Sequence, residues 1–509
     1  MHRVHTLGAL WFYSAVASGY TDDKVIRMFT HNEAQKKESI VKLLSPVRLA
    51  RLGLALLASL GLPTQGREAP KPPAPASGRN LPPPVPTQPV PPSAPQPAPA
   101  PLPEPVRIVA GAVTTLNGGN AAIATAPVTH PLGSLVIIGG GLRGDNADVW
   151  GRIVKLAGGK GARIAVFPSA SGNPERSAQT IIGYLRKWGA DAFLVPVAIR
   201  LDGSDYRKNA EDRELADKIR KADGVYFAGG DQGRITKALI RDDGTQTAAL
   251  EAVWDLYRRG GVVAGTSAGA AIMSSTMFAN PKAILSMLQN GIAGDRELAP
   301  GLGFIGDDIF VDQHLLVRGR FARMIPAMMA KHYQIGLGID EDSAMVVNAQ
   351  REVEIIGYKG AMLIDLTRAE TDKANSSFNV NNVVISYLDR GDKFNIGTRM
   401  FIPSADKAGG RLDPTRPLGR GPVFSNDVLG NSAVVDLMER LIDSDQQEAI
   451  GIASGNPRNE KTEMGFEFRF TKTPESVGYI SGVADAYSIL NIRLDIRPIE
   501  LYRPLYKYR

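Results

Sequence analysis

Between residues 132 and 269 short apolar runs alternate with segments of helical period, and this alternation constrains the fold more than any other feature of the chain. Leu135-Val136-Ile137-Ile138, Arg163-Ile164-Ala165-Val166-Phe167, Ala192-Phe193-Leu194-Val195, Gly224-Val225-Tyr226-Phe227 and Val262-Val263-Ala264 have the length and composition of buried strands. Between them the stretch through Trp150 and Val154, then Glu175–Trp188, Ala210–Lys221 and Ala249–Arg259, read as helices, the first capped by Asn146. Strands apolar on both faces and separated by helices predict an α/β fold: a doubly wound, mostly parallel sheet covered on both sides. In such sheets ligands bind beyond the carboxyl ends of the strands. Gly139-Gly140-Gly141, Gly229-Gly230-Asp231-Gln232 and Gly265-Thr266-Ser267-Ala268-Gly269 all fall at such ends. The pattern therefore predicts that these three turns meet in one crevice.

The last of them is a G-x-S-x-G sequence between a strand and a helix expected to run from Ala268 through Met273, the setting that holds a serine hydroxyl out on a strained turn. A serine nucleophile needs a base and a group to orient that base. The chain contains no cysteine, which excludes disulfides, thiolate metal sites and a cysteine nucleophile. Of six histidines, His2, His5 and His31 lie near the amino terminus and His130 just ahead of the apolar alternation, leaving His314 and His332. His332 falls in a helical segment, Phe321–His332. His314 follows Phe310-Val311-Asp312-Gln313 at a strand end and is the better base. Glu341, in the turn Asp340-Glu341-Asp342, is the candidate orienter, with Asp312 as competitor. The order serine, histidine, acid differs from the serine, acid, histidine order of α/β-hydrolases, so another scaffold is expected. Gly139-Gly140-Gly141 lacks the G-x-G-x-x-G spacing of a dinucleotide site. No cofactor and no metal site are expected.

Together, Gly229-Gly230-Asp231-Gln232, Gly265-Thr266-Ser267-Ala268-Gly269-Ala270, Asp312-Gln313-His314, the spacing of Arg318, Arg320 and Arg323, and Gly338-Ile339-Asp340-Glu341-Asp342 closely resemble the cyanophycinases. These are serine exopeptidases of peptidase family S51, related to aspartyl dipeptidase. The resemblance spans about residues 132–402. It implies a class I glutamine-amidotransferase-like three-layer sandwich, a catalytic triad of Ser267, His314 and Glu341, and substrate contacts from Gln232, Asp312, Gln313, Arg318, Arg320 and Arg323. The backbone N–H groups of Ala268 and Gly230 are the expected oxyanion donors. The implied substrate is cyanophycin, a polyaspartate carrying arginine on its β-carboxyls, cleaved to β-Asp-Arg dipeptides. An aspartyl or isoaspartyl dipeptidase of the same fold, or a non-catalytic polymer-binding protein, are the alternatives.

Flanking regions differ in character. Basic Val47-Arg48-Leu49-Ala50-Arg51 precedes an apolar run, 52–62, too short for a comfortable membrane span but laid out like a secretory signal. Residues 1–66 are therefore expected to be an export segment with a translation start downstream of Met1, and the protein is expected to be secreted or periplasmic. Seventeen of the 35 prolines lie between Pro70 and Pro105, the composition of a stiff polyproline tether, assigned to 67–131. The peptidase domain is expected over 132–403. Residues 404–509 form an extension with a helix near Val434–Ile442, strands near Phe466–Phe470 and Ile489–Ile496, and no catalytic motif. The net charge of +7 is spread along the chain, so no nucleic-acid partner is expected. A homodimer is left open.

Overall fold

The computed structural model describes residues 105–108, 131–459, 461–502 and 504–506. The expected export segment, and most of the proline-rich tether, lie outside the described residues. Every described residue belongs to one compact unit.

In chain order the first strands are β1 (Val106–Arg107), β2 (Ser134–Ile138), β3 (Arg163–Phe167), β4 (Asp191–Leu194), β5 (Gly224–Phe227), β6 (Val262–Thr266), β7 (Thr276–Phe278) and β8 (Leu298–Pro300). Next come β9 (Ile309–Gln313), β10 (Ile335–Ile339), β11 (Ser343–Val347), β12 (Glu352–Gly357), β13 (Ala361–Asp365), β14 (Val380–Leu388), β15 (Lys393–Asn395) and β16 (Met400–Ile402). The last are β17 (Val423–Ser425), β18 (Glu448–Ala453), β19 (Glu463–Thr471), β20 (Val477–Ile480) and β21 (Tyr487–Leu501). One sheet runs β1-β16-β15-β12-β11-β2-β6-β5-β3-β4, a second runs β17-β18-β19-β21-β14-β13-β10-β9 with β20 on β21, and β7 and β8 form a hairpin apart.

The molecule is thus α/β with mixed sheets. In the first sheet only β2, β6, β5, β3 and β4 are parallel. β11 pairs antiparallel to both β2 and β12, and the short turn 348–351 between β11 and β12 is of the length an antiparallel pair allows. Helices Ala147–Leu156 and Pro174–Lys187 cover one face of the parallel half, burying Trp150, Ile153 and Leu185 against Val136, Ile138 and Val166. On its other face Leu135 and Ile137 share one apolar cluster with Leu337 and Leu363 of the second sheet. The far side of that sheet packs Phe466, Phe468 and Phe470 with helices Phe321–Ala330 and Ala433–Ile442.

Local chemistry accounts for most element ends. Asn146 and Asn173 accept hydrogen bonds from Val149 and Arg176 N–H and start their helices. The single helix expected over Ala210–Lys221 is two, Tyr206–Ala210 and Arg213–Arg220, because Asp212 caps Leu215 N–H and starts the second. The helix expected from Ala268 through Met273 is one turn, Ala268–Ala271. Residues 404–509 are built into the second sheet: they supply β17 to β21, and the fifteen-residue β21 pairs with β14 on one side and β19 on the other.

Candidate active site

Four strand ends converge where the two sheets meet. Ser267 follows β6 and the glycines 139–141 follow β2, both in the first sheet; His314 follows β9 and Glu341 follows β10, in the second. The Asp340–Asp342 turn is where the chain crosses from the second sheet into the first, at β11.

Ser267 has φ 53° and ψ −108°, a conformation that costs on the order of 1–3 kcal/mol for a residue with a side chain. Packing on both sides enforces it. A Cβ on Gly265 would lie 2.2 Å from Gly269 O, and one on Gly269 would lie 2.4 Å from Phe227 O. Ser267 N–H is held by Ile138 O at 3.0 Å. His314 also has positive φ, 50°, and its N–H is held by Gly139 O at 2.9 Å. The result is a relay. Ser267 Oγ is 2.8 Å from His314 Nε2, and His314 Nδ1 is 2.5 Å from Glu341 Oε1. Gly140 forms the wall behind the imidazole, where a Cβ would lie 2.2 Å from His314 Cε1.

The electrostatics fit a neutral imidazole beside an ionised carboxylate. Burial pushes the His314 pKa below its ordinary value, against the opposing pull of the Glu341 hydrogen bond, and nearby Arg318 and Arg320 lower it further. The hydrogen bond from His314 holds Glu341 below the usual carboxylate range, against partial burial. With Nε2 unprotonated and facing Oγ, His314 is poised to take the serine proton.

The backbone donors expected for an oxyanion lie beside the serine. Among the described residues neither Ala268 N–H nor Gly230 N–H has a protein acceptor. Gly230 needs φ 140°, and a Cβ there would strike Ala170 O at 2.1 Å. Because the helix after Ser267 is only one turn, this pocket rests on individual N–H groups rather than on a helix dipole.

The expected substrate contacts separate into two groups. Asp312 and Arg323 are committed to each other: Arg323 Nε and Nη2 donate to the two Asp312 oxygens at 2.7 and 2.8 Å, with side chains 2% and 6% exposed. The Arg323 guanidinium also lies over the Phe278 ring, 4.0 Å from its centroid. Arg320 Nη1 donates to Gln313 O and Oε1 at 2.8 and 2.9 Å, and burial pulls the Arg320 pKa down to about 10. Gln232 donates its amide to Phe278 O at 2.6 Å. These five residues form a hydrogen-bonded floor around the strand end that carries His314, so the expectation of Asp312 and Arg323 as direct substrate ligands gives way to mutual burial. Arg318 alone is exposed, with no ion pair among the described residues. His332 lies on the exposed end of its segment and takes no part in the relay; Asp312, the competing orienter, faces Arg323 instead.

Sequence reasoning missed the residues that hold the Asp340–Asp342 turn. Asp340 Oδ1 accepts from Leu316 and Val317 N–H at 3.2 and 3.1 Å, and its Oδ2 pairs with Lys359 at 2.7 Å. Asp342 has φ 56°, and fully buried Asn146 donates to its O and Oδ1, each at 2.9 Å. The only local signal from Asn146 was a helix cap; its second role comes from a residue 196 positions away.

The profile of peptidase family S51 matches residues 135–355. A cyanophycinase of Geminocystis herdmanii is 29% identical over 273 residues, 52% of this chain and 93% of that protein. A cyanophycinase of Trichormus variabilis is 30% identical over 260 residues, 49% of this chain and 81% of that one. The crystal structure of a peptidase from an acI-B1 actinobacterium is 21% identical, covering 46% of this chain and 91% of its own, with a TM-score of 0.35.

Proposed function

Because the chain belongs to peptidase family S51, we propose that it is a serine exopeptidase that hydrolyses cyanophycin to β-Asp-Arg dipeptides through an acyl-enzyme on Ser267. The observation that carries this reading is the continuous contact from Ser267 Oγ through His314 to Glu341. Ser267 Oγ attacks the scissile carbonyl carbon and passes its proton to His314 Nε2. Glu341 stabilises the imidazolium that forms. The oxyanion is received by the N–H groups of Ala268 and Gly230. Collapse breaks the C–N bond, His314 returns the proton to the leaving amine, and water then cleaves the ester by the same route. Exposed Arg318 is the group best placed to receive a substrate carboxylate. Asp312, Gln313, Arg320 and Arg323 support the base from below.

We read the parallel half of the first sheet as the doubly wound, glutamine-amidotransferase-like part of the scaffold. The basic and apolar sequence of 47–62 supports a secreted or periplasmic location, which fractionation of the native host tests.

The decisive experiment incubates the purified full chain, and its Ser267→Ala variant, with insoluble cyanophycin and identifies soluble product by mass. Release of β-Asp-Arg by the wild type alone is the expected result. Cleavage of short isoaspartyl peptides without attack on the polymer identifies an isoaspartyl dipeptidase. Retention on the polymer without any product identifies a binding protein.

A further inference from the structure

The loop around Arg420, the Ala433–Ile442 helix and the start of β21 form an open cavity of about 320 Å3, lined among others by Arg420, Glu439, Asp443 and Tyr487. None of its residues belongs to the Ser267 relay. Its unusual member is Glu439. The carboxyl is half-buried, lines the cavity beside the Tyr487 ring, and has no hydrogen bond or ion pair among the described residues. A carboxylate in that position is normally paired or neutralised. Its charged neighbours offer no relief. Asp436, on the same helix, is paired with Arg440 at 3.5 Å; Asp389, from the turn after β14, is held by Lys407 at 3.1 Å; Asp485 projects from the β20–β21 hairpin. Asp443 accepts Leu418 N–H at 3.2 Å. On the loop that forms another part of the lining, Arg420 is exposed and makes no ion pair among the described residues. Burial, with Asp436, Asp485 and Asp389, pushes the Glu439 pKa up to about 7.

The cavity therefore presents an unpaired carboxyl, an aromatic face and, from a separate loop, an unpaired guanidinium; Arg440 and Asp443, which also line it, are held by Asp436 and by Leu418 N–H. A flat organic cation carrying a carboxylate at some distance complements all three. Among the described residues no group of three His, Cys, Asp or Glu is placed to hold a metal ion. We propose that this cavity is a second binding site for the polymer, taking an arginyl guanidinium between Glu439 and the Tyr487 ring while a backbone or terminal carboxylate meets Arg420. The guanidinium fork suits a carboxylate and stacks on an aromatic ring. This rests on the substrate proposed above. Its role is to keep an insoluble substrate close to Ser267, raising local concentration without touching the chemistry.

The test uses the full chain and two readouts. Cosedimentation with cyanophycin granules, in a Ser267→Ala background that leaves the polymer intact, measures attachment. Cleavage of a soluble (β-Asp-Arg) trimer by the otherwise unchanged chain measures the active site. Glu439→Gln is expected to weaken granule binding about tenfold or more, the loss of one charge-assisted contact, and to leave kcat/KM on the trimer unchanged. Since an arriving guanidinium favours the ionised carboxyl, binding by the Glu439 protein strengthens as pH rises through 7, and binding by Glu439→Gln does not. Folding is controlled in the same variant. A carboxyl whose folded pKa lies above its ordinary value destabilises the fold as pH rises from about 4.5 through 7, so Glu439→Gln melts at or above the wild-type temperature at pH 8. Unchanged granule binding in Glu439→Gln, or binding that weakens in step with trimer cleavage, overturns the proposal. If the wild type leaves the trimer intact, the peptidase reading falls instead, and sedimentation with granules still decides whether the cavity binds them.

Discussion

Arg318, Arg320 and Arg323 lie within one short turn and helix start, yet only one of them has a guanidinium to spare. Arg323→Met leaves Asp312 buried without its partner and is expected to lose about 3–5 kcal/mol of stability, read as a fall in Tm and soluble yield. Arg318→Met changes no buried group. It is expected to leave Tm unchanged and raise KM on cyanophycin ends roughly tenfold or more, with little change in kcat. Equal KM for Arg318→Met and wild type would show that its charge only solvates the turn. The base makes a prediction of opposite character. Burial holds His314 below its ordinary value of 6.5, so the neutral, active form persists to lower pH. The acid limb of kcat/KM is thus expected below the usual histidine range rather than between 6 and 7. Glu341 opposes that depression. Glu341→Gln should move the limb lower still while cutting kcat by orders of magnitude, and a limb that moves upward would contradict the assignment of Glu341 as the partner of Nδ1.

At the scale of elements, much of the first half of the fold was legible from residue 132 to residue 269 because each strand and helix there is specified locally, by an apolar run, a cap and a glycine turn. The convergence of Gly139–Gly141, Gly229–Gln232 and Gly265–Gly269 follows from that pattern. The second half was less legible because its pairings are remote: Val383 on β14 faces Leu494 on β21, and nothing near either residue announces the other. The turn after β10 has the same property. Its acidic triplet is visible in sequence, but the reason for three acids is not: Asp340 holds 316 and 317, Glu341 holds His314, and Asp342 is held by Asn146. Asn146 therefore does two jobs, and substitutions can separate them. Asn146→Ala removes both and should cost about 1–2 kcal/mol through the helix cap alone. Asn146→Ser keeps an oxygen for Val149 N–H but is too short to reach Asp342. It is expected to retain the wild-type Tm more nearly than Asn146→Ala, and still to lose kcat at least tenfold with KM preserved, with its acid limb displaced toward that of Glu341→Gln. Wild-type kcat in Asn146→Ser would reduce Asn146 to a helix cap.

For the whole molecule the question is what residues 404–509 are to the rest. The relatives match about half of this chain, and with 93% of the Geminocystis herdmanii protein inside the match, little of that chain is left to supply a counterpart. A detachable extension would then be the simple expectation. The contacts argue otherwise. β21 hydrogen-bonds along β14, and the buried side chains of β14, Val380, Val383 and Ile385, share a core with Phe466, Phe468, Leu494 and Ile496. Lys407, fully buried, reaches back to Asp389 and Asp392, each at 3.1 Å, and to Ser488 at 3.0 Å. Gly319, next to Arg318, has φ 59° and packs so closely on Leu429 that a Cβ would lie 2.3 Å from its carbonyl oxygen. Cutting after residue 403 would strip β14 of its neighbour, expose an apolar strand edge, leave Asp392 buried without its lysine, and remove the surface on which the Arg318 turn rests. The expected outcome is that a chain ending at 403 is recovered as aggregate, whereas Lys407→Met in the full chain folds with a lower Tm and normal cleavage of short soluble substrates. A soluble 403-residue chain with wild-type kcat would show that the second sheet is complete without β17 to β21, and that the extension is an attachment and not a structural half.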